Sequence, residues 1–133
     1  MKARDVMYKF VIAATPQAIG RDLAQQMLSG MYSGLPVVDA SHHIIGVVTE
    51  FDLLKAITDG KDLQTVKANE IMSRPAICVE EDDEIEMVIA KMTTHNFIRI
   101  PVVRDGKLVG LISRADILSR MLEPEFVMLF DGK

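Results

Sequence analysis

The sequence predicts an α+β fold, in which two β-α-β-β-α repeats related by a pseudo-twofold axis pack sheet to sheet. An internal duplication is the first reason, because residues 35–54 return in modified form 64 to 65 positions later. Pro36 matches Pro101, and Gly46 matches Gly110. Two copies at this period indicate paired halves rather than a solenoid, which needs three or more units. Composition is the second reason, since 49% hydrophobic and 26% charged residues in a chain of 133 can supply one shared core.

The first repeat contains every element that this fold class requires. Short apolar runs bounded by turn residues predict strands, and apolar residues at helical spacing predict helices. Thr15 and Pro16 have the residue types of a helix N-cap and first helical position. The predicted elements are a strand at 10–13, a helix at 16–29, a hairpin of strands at 35–39 and 44–49, and a helix at 50–58.

The second repeat has the same order of elements. Asp105 and Gly106 predict the tight turn of its hairpin. Its elements are a strand at 76–79, a helix at 82–94, strands at 100–103 and 108–113, and a helix at 114–122. A short helical segment, which we call the lead-in, opens each repeat, at 3–7 in the first and at 68–72 in the second. We therefore divide the chain into a first repeat at 1–60, a linker at 61–67, a second repeat at 68–122 and an apolar tail at 123–133, expected to be an interface element or to dock within the chain.

Composition and spacing argue against several classes of function. The formal net charge of −4 and pI near 5.3 argue against nucleic acid as the main partner. No apolar stretch reaches the ~20 residues that span a bilayer, so we expect no membrane partner. Cys78 is the single cysteine, which excludes an intrachain disulfide and indicates a reducing cytoplasm, and its position in an apolar run predicts an inert thiol. The histidines and the acidic run at 80–84 lack a metal-ligand spacing, and no catalytic triad or glycine-rich phosphate loop is present, so we expect neither a metal site nor an enzyme.

Two tetrapeptides carry the candidate chemistry, at the points where a strand ends and a helix begins. In each, a hydroxyl residue precedes an aspartate by three positions: Thr49 and Asp52, then Ser113 and Asp116. One interpretation is a capping box, in which hydroxyl and carboxylate bind the free N–H groups of the helix start. The other is a ligand site, in which the helix N-terminus and the hydroxyl hold an anion and the aspartate binds a diol. Spacing alone favours the cap.

The order of these motifs resembles a known family. Each repeat reads hydrophobic-Pro-Val-Val, then hydrophobic-hydrophobic-Gly-hydrophobic-hydrophobic, then Thr or Ser with Asp three residues later, and the likeness covers residues 3–121. This pattern resembles the cystathionine-β-synthase (CBS) domain pair, or Bateman module. The resemblance implies binding of AMP, ADP or ATP, less often S-adenosylmethionine or NAD, in clefts between the repeats. It further implies a homodimer that regulates another protein and requires no cofactor.

The resemblance assigns roles to particular residues. Thr49 and Ser113 match the hydroxyls that contact a phosphate, and Asp52 and Asp116 match the carboxylates that hold the ribose diol. Ile12, Ala76 and Ile77 match the segments that meet the adenine ring. Val37 and Val102 match the apolar wall of the pocket.

The two repeats differ in charge beside these motifs. Arg114 follows Ser113 where Glu50 follows Thr49, and Arg99 stands where the first repeat has Gly34. A guanidinium binds phosphate through a planar fork, whereas a glutamate repels it. We therefore expect the site of Asp116 to bind a phosphorylated ligand better than the site of Asp52. The alternative is that both arginines are solvated surface charges.

These observations predict a regulatory module that senses adenine nucleotides and signals to an unidentified partner by a change of conformation or assembly. Two alternatives stay open at this point. One is a structural or dimerisation module with empty clefts, and the other is a nucleotide-processing enzyme.

Overall fold

A computed structural model describes residues 1–122, so the predicted tail at 123–133 lies outside the described residues. Helices and short strands alternate along the chain, which confirms the α+β class. The elements are α1 (Ala3–Val6), α2 (Gly20–Gly30), β1 (Gly34–Val38), β2 (Ile44–Thr49), α3 (Glu50–Thr58), α4 (Ala68–Ile71), β3 (Val79–Glu80), α5 (Ile85–His95), β4 (Arg99–Arg104), β5 (Lys107–Ser113) and α6 (Arg114–Met121). None of the helices in this part of the chain is long and apolar enough to cross a membrane.

The chain folds into two compact units that do not coincide with the sequence repeats. Unit 1 contains residues 1–11, 78–104 and the chain from residue 109. Unit 2 contains residues 12–77 and 105–108. Each unit therefore combines most of one repeat with the helical lead-in of the other.

Backbone hydrogen bonds hold the second lead-in inside unit 2. The Ala68 N–H donates to the Ala18 carbonyl at 2.8 Å. On either side of α4, Lys67 forms a β-bridge with Ile19, and Ser73 forms one with Val47. The lead-in thus contacts both the start of α2 and the strand β2.

Unit 1 contains the same arrangement with the first lead-in. The Ala3 N–H donates to the Asp83 carbonyl at 2.9 Å, next to a bridge between Lys2 and Glu84. A second bridge joins Tyr8 to Leu111 of β5. The two lead-ins, which correspond in the duplicated sequence, therefore make equivalent contacts in their units.

Two glycines make room for the methionine that follows each lead-in helix. A Cβ atom added at Gly46 of β2 would lie 2.6 Å from Met72 Sδ, and one added at Gly110 of β5 would lie 2.5 Å from Met7 Sδ. Carbon and sulfur atoms do not approach this closely without displacement. Glycine is thus required at both positions by the close packing of the lead-in.

Each unit has a small sheet. In unit 2, β1 pairs antiparallel with β2, and Ala14 adds a parallel bridge to Val37. In unit 1, β3 pairs in parallel with β4, and β5 is the other neighbour of β4. The buried cluster of unit 2 comprises Ala14, Leu23, Met27, Leu35, Val37, Val48, Leu53, Ala68 and Met72.

The hairpins and the helices that follow them confirm the predictions. The strand β2 and the helix α3 have the predicted bounds. The strand β4 is one residue longer at each end than predicted, and β5 and α6 each differ by one residue at one end. Asp105 and Gly106 adopt φ of 52° and 79°, the left-handed pair that the turn requires. Both helical lead-ins are also present.

The first strand of each repeat and the start of each following helix were predicted wrongly. Residues 10–13 form no strand, Phe10 is 96% exposed, and only Ala14 bridges to β1. In the second repeat, the strand is reduced to β3. The helix α2 begins at Gly20 rather than at residue 16, with Ile19 in place of Thr15 as its N-cap.

The wrong helix starts have one physical cause. The carbonyls of Pro16 and Ala18 accept hydrogen bonds from Asn69 and Ala68 of the second lead-in. The equivalent carbonyls of Glu81 and Asp83 accept them from the first lead-in, so α5 begins at Ile85. Pairing with a distant segment thus overrides a local N-cap signal.

The thiol of Cys78 lies beside β3 and is partly buried. Burial raises its pKa from the ordinary value of 9.0 to about 11, while the positive charge of Lys91 lowers it and the negative charge of Glu80 raises it. The thiolate is the reactive form of cysteine. The raised pKa agrees with the prediction of an inert thiol.

The Gly46–Met72 contact predicts a specific energetic coupling. We expect Gly46→Ala to lower the free energy of unfolding by about 1–3 kcal/mol through overpacking. The loss should be smaller in a Met72→Ala background, because the obstructing side chain is then absent. Urea unfolding of the double-mutant cycle measures this coupling. Met7→Ala is the matched control, and equal coupling of Gly46 to both methionines would contradict the assignment of the lead-ins.

The Cys78 thiol should react slowly with alkylating agents in the folded protein. At pH 8 its alkylation by iodoacetamide should be about 100-fold slower in the folded protein than in urea, because a rise of two pKa units lowers the thiolate fraction by that factor. The rate should rise as the pH approaches 11. Mass spectrometry of the alkylated peptide follows the reaction, and equal rates in both states would contradict the expectation.

Candidate functional site

Both predicted tetrapeptides form capping boxes. In unit 2, the Thr49 N–H donates to Asp52 Oδ2 at 2.8 Å, and the Asp52 N–H donates to Thr49 Oγ1 at 3.2 Å. In unit 1, the Ser113 N–H donates to Asp116 Oδ2 at 2.9 Å, and the Asp116 N–H donates to Ser113 Oγ at 3.0 Å. The structure therefore confirms the capping interpretation for α3 and α6.

The capping boxes leave part of each aspartate unused. The hydrogen bonds engage Oδ2 of Asp52 and of Asp116, and within residues 1–122 neither Oδ1 accepts a hydrogen bond. Both residues are half-buried. A carboxylate held in this way offers a fixed, charged acceptor to the hydroxyls of a ligand. Capping and ligand binding are thus compatible at the same residue.

The hydroxyls of Thr49 and Ser113 differ in whether their proton already has an acceptor. Thr49 Oγ1 donates to Asp52 Oδ2 at 3.0 Å, so its proton is engaged. Among the described residues, the hydroxyl of Ser113 has no acceptor for its proton, although its oxygen accepts from Asp116. Ser113 is therefore the better donor to an anion.

A backbone hydrogen bond ties the start of each helix to the chain before the preceding hairpin. The Glu50 N–H donates to the Ser33 carbonyl at 3.0 Å, and the Arg114 N–H donates to the Ile98 carbonyl at 2.9 Å. Ser33 and Ile98 were not predicted from the sequence, since any residue type can supply a carbonyl. These bonds bring the residue after each carbonyl, Gly34 or Arg99, close to the helix start.

The charge difference between the repeats is therefore concentrated at one junction. Arg99 follows Ile98, whose carbonyl accepts the hydrogen bond from the Arg114 N–H. Arg99 and Arg114 both belong to unit 1. Arg99 Nε is buried, and it is the one buried side-chain nitrogen or oxygen within residues 1–122 that lacks a hydrogen-bond partner. An unpaired buried donor is costly, and an acceptor oxygen would relieve this cost. Glu50 and Gly34 form the corresponding junction in unit 2.

The other predicted residues vary in exposure. In unit 2, Ile12 is exposed, and Ala76 and Ile77 are half-buried. Val37 of unit 2 and Val102 of unit 1 are each 0% exposed, so both side chains lie in the core. The structure brings the segment of Ile12 alongside Val37, because Ala14 bridges to that strand residue.

The part of the chain that the structure describes has no group of three or more histidine, cysteine, aspartate or glutamate side chains that could hold a metal ion. The polar atoms available at the junctions are instead carboxylate oxygens, hydroxyls and guanidinium groups. These groups suit an organic ligand with hydroxyl and anionic parts.

Comparison with known proteins identifies the family. The sequence matches the CBS domain twice, over residues 3–59 and 68–123. An uncharacterized protein of Methanopyrus kandleri is 34% identical over 125 residues, which are 92% of this chain and 63% of that protein. The inosine-5′-monophosphate dehydrogenase of Methanocaldococcus jannaschii is 34% identical over 93% of this chain and 24% of the enzyme. The chain thus spans less than two thirds of the length of these relatives.

A solved structure gives the same fold. The CBS domain pair of protein MJ0100, in complex with 5′-methylthioadenosine and S-adenosyl-L-methionine, superposes with a TM-score of 0.78. It is 28% identical, and the match covers 94% of this chain and 98% of that one. Two matched domains in sequence, together with this fold, mean that the chain belongs to the CBS domain family as a CBS domain pair.

Proposed function

We propose that the chain is a regulatory module that binds an adenine nucleotide of the AMP, ADP or ATP class. The unused Oδ1 atoms of Asp52 and Asp116 carry this proposal, since each is fixed by a capping box and can accept from a ribose diol. The MJ0100 domain pair supports it, because its two ligands share an adenosine moiety. Ile12, Ala76 and Ile77, all in unit 2, supply apolar surface for the ring.

The phosphate part of the proposal rests on residues of this chain. Neither ligand of the MJ0100 pair carries a phosphate. Here Arg114 begins α6, directly after a Ser113 whose hydroxyl can donate, and a backbone bond from Arg114 to Ile98 brings the chain at Arg99, whose Nε is unpaired, close to this helix start. These donors suit a phosphate better than a neutral group. The junction of Thr49 and Asp52, with Glu50 beside it, suits a weaker or uncharged ligand.

We further propose that the module regulates a partner rather than catalysing a reaction. The dehydrogenase of Methanocaldococcus jannaschii supports this, because the similar region is only 24% of that enzyme. Binding would shift the population of a conformation that a partner protein reads. Incubation with ATP should leave the nucleotide unchanged, and formation of ADP or AMP would favour the enzyme alternative.

A cytoplasmic homodimer is the assembly we propose. Exposed large apolar side chains on the helices support self-association, since exposed apolar clusters mark interaction surfaces. The low cysteine content supports a reducing compartment.

Nucleotide binding predicts a measurable gain in stability. AMP, ADP or ATP at 100 times its dissociation constant should add about 2.7 kcal/mol to the free energy of unfolding and raise Tm by several degrees. A thermal-shift series with AMP, ADP, ATP, S-adenosylmethionine and NAD measures this. A flat response to all five would favour a structural module with empty clefts.

The two sites should respond differently to mutation. Asp116→Ala should weaken AMP binding about 10–100-fold, the effect of losing a hydrogen bond to a charged group, whereas Asp52→Ala should have a smaller effect. Isothermal titration calorimetry measures both. Equal losses would contradict the asymmetry.

Asparagine variants separate ligand binding from helix capping. Asp116→Asn keeps an acceptor for the Ser113 N–H, so the stability of α6 should be largely preserved. It removes the charged acceptor from the diol, so binding should still fall. Normal binding by this variant would assign Asp116 to capping alone.

A further inference from the structure

A lysine of α5 holds the chain just before β3. Lys91 Nζ donates to the Cys78 carbonyl at 2.8 Å, and both residues are half-buried and belong to unit 1. Burial is the main cause of the raised pKa of the Cys78 thiol, and the positive charge of Lys91 opposes it, as expected of an ammonium group beside this residue. A hydrogen bond from a charged donor is stronger than one between neutral groups, so this bond fixes the backbone at Cys78.

The first repeat has no counterpart of this bond. The chain has the same register in both repeats, because β3 pairs in parallel with β4 and Ala14 forms a parallel bridge to β1 at the equivalent residue. Cys78 therefore takes the position of Ala13, and Lys91 takes that of Gln26. The Gln26 side chain forms no hydrogen bond within residues 1–122. Only the second repeat thus has a side chain of its helix bonded to the backbone at this position.

The segments that end at Ala13 and at Cys78 also differ in exposure. Residues 11–13 and 76–78 both lie outside the strands, so strand pairing holds neither of them. Ile12 is 42% exposed and, together with Gln26, lines a cavity of about 690 Å³ in unit 2. Ile77, at the equivalent position, is half-buried. The segment with the lysine bond is therefore the less exposed of the two.

We propose that Lys91 is a positioning residue, which fixes the ring-facing segment of the second repeat for an adenine nucleotide. This inference rests on the proposed function and adds a determinant of affinity outside the binding residues. Ala76 and Ile77, which are proposed to contact the ring, directly precede Cys78. A segment that is already ordered loses less conformational freedom when a ligand binds. Lys91 thus favours binding through the backbone rather than through contact with the ligand.

Backbone mobility tests the lysine bond without nucleotide. NMR relaxation of the original chain should give amide order parameters of about 0.85 for residues 76–78, the value of a rigid backbone, and lower values for residues 11–13. Lys91→Gln, which introduces the residue type found at position 26, should lower the values at 76–78 to those at 11–13. Lys91→Arg keeps a charged donor and should preserve them. Equal order parameters in the two segments of the original chain, or no change in Lys91→Gln, would overturn the inference.

Nucleotide affinity tests the consequence of this bond. Lys91→Gln should weaken AMP binding about 3–10-fold, because the segment must then be ordered on binding, and Lys91→Arg should bind AMP within about twofold of the original. Lys55→Gln is the matched control, since it removes a lysine that pairs with Asp59 at 3.2 Å on α3, and it should leave the affinity unchanged. Isothermal titration calorimetry measures all three variants. Unchanged affinity in Lys91→Gln would overturn the inference.

Ribose 5-phosphate separates positioning from a general loss of stability. It carries the diol and the phosphate of AMP without the ring, so Lys91→Gln should weaken its binding less than that of AMP. A thermal-shift titration with each ligand measures the difference. Equal losses for both ligands would assign Lys91 to the stability of unit 1 alone and would overturn the inference.

The outcomes also distinguish this inference from the proposed function. An original chain that binds none of AMP, ADP and ATP would contradict both. Nucleotide binding that is insensitive to Lys91→Gln would contradict the positioning role alone and leave the proposed function intact.

Discussion

The packing of each lead-in against the other repeat is the constraint on which the rest of the structure depends. Met72 packs against Gly46, and Met7 packs against Gly110. Any residue larger than glycine would occupy the space of the methionine side chain at either position. The bridges from Ser73 to β2 and from Tyr8 to β5 join the same segments. Because these contacts cross the repeat boundary, neither repeat completes its compact unit from its own residues.

This constraint positions the strand–helix junctions that carry the candidate site. The strands β2 and β5, which hold the lead-ins, lead directly into α3 and α6. At each junction one carboxylate oxygen stabilises the helix, and the other has no hydrogen bond among the described residues, so capping leaves it available for the proposed ligand. A mutation there is therefore informative only when capping and ligand contact are measured separately.

Duplication followed by divergence explains why the two junctions are not equivalent. The backbone bonds of Glu50 and Arg114 to the preceding chain are the same, which keeps the geometry common to both. The side chains at these positions differ in sign, and Arg99 adds a second guanidinium in unit 1 only.

Local chemistry in the sequence determined the hairpins, the Asp105–Gly106 turn, the helices after them and the capping residues, because each depends on neighbours within a few positions. The pairing of Asp52 with Thr49 and of Asp116 with Ser113 could be predicted for the same reason. Only the tertiary structure decided that α2 begins at Gly20, that residues 10–13 form no strand, and that Arg99 Nε is buried without a partner. The shifted helix starts arise from contacts between segments about 50 to 80 residues apart, such as Ala18 with Ala68 and Ala3 with Asp83, which no local pattern records.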